Sequence, residues 1–156
     1  MEVFDLDGIP VFNQDDETAP PQRVVELKAR VRAADAILFV TPEYNNSIPG
    51  VLKNAIDWGT RPYGDNCWQG KPAAVMGASP SPFGTVRAQI HLRQCLGTLD
   101  MLQLNKPEVL IGNAPQKFDS AGNLTDDRTR ESIRSLLAAL ANWTRRLQEK
   151  RIAAAG

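Results

Sequence analysis

The chain has 156 residues, 42% of them hydrophobic, which suits one domain with an ordinary core. Lysine plus arginine (18) equals aspartate plus glutamate (18), so nothing in the charge argues for nucleic acid or an anionic membrane surface. No apolar run reaches the ~18 residues a membrane span needs, no signal-peptide pattern opens the chain, and Cys67 and Cys95 lack ligand-like spacing, so the expectation is a cytoplasmic protein without metal, membrane or nucleic-acid partner.

Apolar runs of strand length alternate with helical patterns, which predicts an α/β fold with a parallel sheet. Met1 to Leu6 reads as a first strand, followed by a turn at Asp7-Gly8-Ile9-Pro10 and an acidic loop from Asn13 to Pro21. Val24, Leu27, Val31 and Ala34 recur at helical spacing. Ile37 to Val40 is a continuous apolar run, expected of a strand covered on both faces. In the next helix, Ser47 is placed to cap and Pro49 suits the first turn. Ala73 to Gly77 is the next strand, and Pro80 and Pro82 keep the loop after it out of helix. A helix follows from about Gly84 to Leu99, with Val86, Ile90, Leu96 and Leu99 inward. Val109 to Ile111 is a strand, and Gly112 to Asn123 a loop. The last helix starts near Asp126 and carries Ile133, Leu136, Leu140, Trp143 and Leu147 on one face. One domain over residues 1–152 and a frayed tail over 153–156 are expected.

The segment from Thr41 to Trp58 reads T-P-E-Y-N-N-S-I-P-G-V-L-K-N-A-I-D-W and lies just after a strand, where ligands dock in open α/β sheets. It resembles the P-E-Y-N-x-S-x-P-G-x-L-K-N-A-I-D-W signature of the NADPH-dependent FMN reductase family, flavodoxin-like flavoproteins that include chromate and quinone reductases. The resemblance implies a flavodoxin-like doubly wound parallel sheet with helices on both faces. It implies FMN as cofactor, NADPH or NADH as co-substrate, and a small-molecule acceptor such as a quinone, chromate, an azo or nitro compound, or free flavin. It further implies a homodimer or homotetramer, for which the helix Val51 to Trp58 is one candidate interface.

A flavin ring needs a flat slot and a few fixed donors and acceptors. Pro42 fixes its own backbone and biases Thr41 toward an extended form. Glu43 belongs to the same turn, Tyr44 offers a stacking or edge contact, and Asn45 an amide with donor and acceptor character. The resemblance places Ser79 and Gly84 against the ring from the second loop, with Ser81 and Phe83 as weaker members. Arg87, one turn into the following helix, is a weak candidate for a nucleotide phosphate or an anionic substrate. His91, the one histidine, has no partner apparent in the sequence and reads as polar packing or a subunit contact. Trp58 and Tyr63 are placed as a pocket wall or dimer seam. No catalytic acid, base or nucleophile is named, because the hydride chemistry is the cofactor's.

The family opens with a strand and a loop of the form G-S-x-R-x-x-S-x-N, which holds the FMN phosphate at a helix N-terminus. That motif does not occur in this chain, and Met1 aligns near the family's second strand, so the reading is of an N-terminally truncated domain. Each charge-assisted bond contributes about 1.5–3 kcal/mol, so losing several weakens FMN binding by orders of magnitude. Two other readings remain: a flavodoxin-type electron carrier, or a non-catalytic remnant acting as an interaction module.

Overall fold

The computed structural model describes residues 1–155, with side chains for residues 1–150 and Ala153. Four parallel strands form one sheet: β1 Ile37–Val40, β2 Pro72–Ala78, β3 Leu102–Gln103 and β4 Val109–Ile111. β2 is the spine. β1 runs along one side of it, in register from Ile37 opposite Ala73 to Val40 opposite Met76. On the other side β3 pairs with the start of β2 and β4 with its end. The chain between them, Leu104 to Glu108, contains Pro107, which has no N–H to give a ladder.

Side chains on β2 alternate between the two faces, as the pleat requires. Ala73 and Val75 join one core with Leu27 of α1 (Gln22–Ala33), Ile56 of α2 (Gly50–Gly59) and Leu92 and Leu96 of α3 (Val86–Thr98). Ala74 joins the other core with Val109, Ile111, Leu136 and Leu140, the last two from α4 (Asp127–Ala155). Three helices therefore cover one face and one covers the other. Each fully buried Leu or Ile contributes about 1.5–3 kcal/mol.

The N-terminal segment departs from expectation. Met1 to Leu6 forms no strand. Phe4 and Leu6 pack on the larger core, but no ladder forms on either side of the segment. Arg23 holds it instead, donating to the carbonyls of Asp5 (2.6 Å) and Asp7 (3.1 Å) and lying over the Phe4 ring. β1 is consequently an outer strand, paired with β2 alone among the described residues. Thr41 N–H bonds back to Met76, so by alternation the amides of Leu38 and Val40 face the open side.

Other differences are local. β3 carries too short an apolar signal to stand out in sequence. Ile90 is 53% exposed, and the inward face of α3 is Ala88, Gln89, Leu92 and Leu96. Gln89 is buried because its amide donates to Thr85 Oγ1 and the Val109 carbonyl, both at 2.9 Å. Pro49, not Ser47, is the N-cap of α2. The last helix continues to Ala155, through residues expected as a frayed tail, and Gly156 lies outside the described residues. No described helix is long and apolar enough to cross a membrane.

Candidate functional site

Three loops meet at the carboxyl edge of the sheet: residues 41–49 after β1, 79–85 after β2 and 112–126 after β4. The first is a tight hairpin. Tyr44 N–H donates to the Ser47 carbonyl at 3.0 Å, and Ser47 N–H returns the bond at 2.9 Å. Between them Asn45 and Asn46 have φ of 49° and 64°. Two consecutive left-handed residues make a type I′ turn, which asparagine tolerates better than most side chains. Tyr44 is 64% exposed at the tip. Among the described residues, the N–H groups of Glu43, Asn45 and Asn46 and the Asn45 side-chain amide have no hydrogen-bond partner.

The hairpin stands on Thr41, which is buried, donates its N–H to Met76 (3.0 Å) and its hydroxyl to the Pro42 carbonyl (2.8 Å). Gly77 makes room for it. A Cβ at Gly77 would lie 2.0 Å from the Thr41 oxygen and 2.5 Å from Thr85 Oγ1.

Glu43 turns away from the open edge. Its carboxylate accepts the backbone N–H of Arg87 (2.9 Å) and Ala88 (3.0 Å), and the Arg87 guanidinium at 3.3 Å. Thr85, at the N-cap of α3, makes no side-chain cap bond. Glu43 thus supplies from another loop what a cap residue supplies locally. Desolvation pushes its carboxyl up, but the bonds from Ala88 and Arg87 and the Arg87 charge outweigh that and hold it below the usual glutamate range.

The second loop is sewn to the third. Ser79 N–H donates to Ile111 (2.9 Å), and the Ser79 carbonyl accepts Ala114 N–H (3.1 Å). The Ser81 carbonyl accepts from Gly84 and Asn113, both at 3.1 Å. Ser79 Oγ accepts the Ser81 N–H at 3.0 Å, and Ser81 Oγ the Phe83 N–H at 3.2 Å. Gly84 has φ 63°, and a Cβ on it would meet the Leu110 carbonyl carbon at 3.0 Å. Gly84 therefore serves close backbone approach.

The sequence pattern of the family described as NADPH-dependent FMN reductase matches residues 1–116. The chain belongs to this family. An NAD(P)H-dependent FMN reductase of Pseudomonas aeruginosa is 52% identical over 149 residues, covering 95% of this chain and 80% of that protein. A 2-hydroxy-1,4-benzoquinone reductase of a Burkholderia species is 40% identical, covering 93% of this chain and 79% of that protein. Among solved structures, the flavoenzyme NAD(P)H:(acceptor) oxidoreductase FerB of Paracoccus denitrificans superposes with a TM-score of 0.83 at 39% identity, over 90% of this chain and 78% of that one. The fold is flavodoxin-like, and this FMN reductase family member is an oxidoreductase.

The structure gathers Pro42, Glu43, Tyr44, Asn45, Ser79 and Gly84 at one edge of the family fold. Their parts differ. Asn45 and Tyr44 present unclaimed groups, Ser79 and Gly84 bind the second loop to the backbone of residues 110–114, and the Glu43 side chain is committed to α3. A flavin ring edge needs fixed donors without other partners, and the turn's N–H groups and the Asn45 amide fit it. Arg87 is half exposed but engaged, pairing with Glu43 and lying 5.3 Å from the Phe83 ring centre. His91 has a partner the sequence hid: its Nδ1 lies 3.0 Å from Ser47 Oγ. Trp58 is not a pocket wall. It is 1% exposed, packs edge-on against Phe12 and donates its indole N–H to Pro10 at 2.8 Å. Tyr63 is 83% exposed under the Arg61 guanidinium. Sequence reading also missed the third loop, where Gly112 and Asn113 underpin the second. A Cβ at Gly112 would meet the Pro82 oxygen at 2.4 Å. The signal was available: a Gly-Asn pair directly after an apolar strand.

Proposed function

We propose that this protein passes electrons from NADPH or NADH, through FMN held at the hairpin 42–45, to a small-molecule acceptor of the quinone class. Chromate, azo and nitro compounds and free flavin are further acceptors within the same reading. Bound FMN would supply the redox chemistry, taking a hydride from NAD(P)H and returning its two electrons and proton to the second substrate, with a further proton from solvent. The chain's own residues bind and orient. Asn45 and the N–H groups of Glu43 and Asn45 aim at the ring edge, where fixed donors favour developing negative charge. Tyr44 covers the ring from the open side. Ser79 and Gly84 hold the second wall, and Arg87 stands at its rim as a weaker contact for an anionic substrate.

The observation that carries the reading is the set of unclaimed donors on a type I′ turn at the carboxyl edge of the sheet. A cytoplasmic setting, assembly as a homodimer or homotetramer and indifference to nucleic acid and membranes accompany it. The test is one reconstitution. Purified protein titrated with FMN quenches its fluorescence saturably, and the bound flavin bleaches with NADPH in the absence of oxygen. Fluorescence that stays unquenched at every protein concentration sinks the proposal. Bound flavin that does not bleach leaves only an electron carrier.

A further inference from the structure

The hairpin that carries the flavin contacts is fastened to α3 on both of its sides. Before the turn, Glu43 binds the N–H groups of Arg87 and Ala88. After it, Ser47 Oγ meets His91 Nδ1 at 3.0 Å. Ala88 and His91 are three residues apart, so both anchors fall on one face of the helix. Between the anchors sit two non-glycine residues in the left-handed region, a conformation that side chains resist. Asparagine bears that region at a smaller cost than most side chains, so anchors outside the turn add to its own preference and narrow its freedom.

On the Ser47 side, Ile48 gives apolar support by packing on the larger core, but it fixes no polar group of the turn. A cavity of about 360 Å³, lined by Ser47, Ile48, Lys53, His91, Gln94 and Cys95, opens where packed side chains would otherwise brace the hairpin. Lys53 is occupied with Asp57, at 2.7 and 2.8 Å. The Ser47–His91 bond is the polar tie on this side.

We propose that His91 is a positioning residue. Through Ser47 it fixes the turn 43–46 in the shape that meets the flavin ring, and it touches neither flavin nor substrate itself. This rests on the reading of that turn as the flavin site. Either neutral tautomer serves, because Nδ1 can accept from or donate to a hydroxyl. An ordered turn has less freedom to lose on binding, so the tie raises affinity without a contact of its own.

The test uses amide hydrogen exchange on flavin-free protein and the FMN dissociation constant from quenching of flavin fluorescence. His91→Leu should speed exchange at Tyr44 and Ser47 about threefold to tenfold, the span of one net hydrogen bond. FMN affinity should fall by a similar factor. Exchange at Leu92 and Leu96 should not change, which separates a loose turn from a damaged helix. His91→Asn, with a donor near the Nδ1 position, should restore most of both losses. Ser47→Ala should match His91→Leu, and the double variant should lose no more than either alone. Unchanged exchange at Tyr44 and Ser47, or fully additive losses, overturns the proposal. A wild-type protein that takes up no FMN sinks the flavin reading, while the exchange result still decides the tie.

Discussion

The carboxylate of Glu43 accepts the backbone N–H of Ala88 at 3.0 Å, although the two residues stand 45 positions apart. One side chain therefore caps a helix and pins the loop after β1 to it. Glu43→Ala should cost about 1–2 kcal/mol of stability, the range for a lost cap, and Glu43→Gln less, since its amide oxygen still accepts. Urea unfolding measures both. Equal midpoints for wild type and Glu43→Ala would contradict the capping role.

The same contact carries a pH dependence with a definite sign. The Glu43 carboxyl lies below its ordinary value in the folded protein. Its stabilising contribution is thus fully present above the ordinary glutamate range and fades as pH falls through the folded value. The stability gap between wild type and Glu43→Gln should narrow on acidification. A gap that widens would reverse the assignment.

Gly77 should tolerate no side chain. Alanine there puts a methyl 2.0 Å from the Thr41 oxygen and 2.5 Å from Thr85 Oγ1. Overpacking of this kind costs about 1–3 kcal/mol, and here it also lifts the base of the hairpin. Gly77→Ala should lower the melting temperature and FMN affinity together. A variant as stable as wild type would show that the Thr41 loop yields freely.

Tyr44→Ala should weaken FMN binding by removing ring cover, with little effect on stability, because Tyr44 is largely exposed. Asn45→Ala should weaken it by removing the amide and also cost about 1 kcal/mol, because alanine resists the left-handed region. Asn46→Gly, by contrast, should keep the turn intact. Flavin titrations of all three check this. Unaltered dissociation constants for the first two would remove the site from this turn.

The cysteines should differ in reactivity. Burial pushes the Cys67 thiol up to about 11, whereas Cys95 borders the cavity beside His91. A thiol reagent at pH 8 should modify Cys95 in the native protein and Cys67 only after denaturation. Rapid labelling of Cys67 in the folded state would mean that the Trp68 region opens readily.

Much of this architecture was readable where the signal is local. The run Ile37 to Val40, the helix after Pro49 and the turn at Tyr44-Asn45 each depend on neighbouring residues, and the family signature spans the last two. What could not be read depends on distant partners. Met1 to Leu6 has a strand's composition, but a strand exists only where a second one lies beside it. Ser47 has the right chemistry for a cap, yet His91 claims its hydroxyl. Ile90 fits a helical period, but the buried amide of Gln89 shows that α3 is turned to serve Thr85 and Val109. The bond from the Glu43 carboxylate to α3 was hidden, because its place in the motif was visible and its helix was not.

Among the described residues, β1 leaves one flank bare, and such a flank has a practical cost. Its four residues are all apolar, with no lysine, proline or bulge to discourage a neighbour. At zero formal charge, copies also repel one another weakly. Concentrated stocks should grow sticky and scatter light as they age, and a lysine in place of Val40 should lengthen their shelf life.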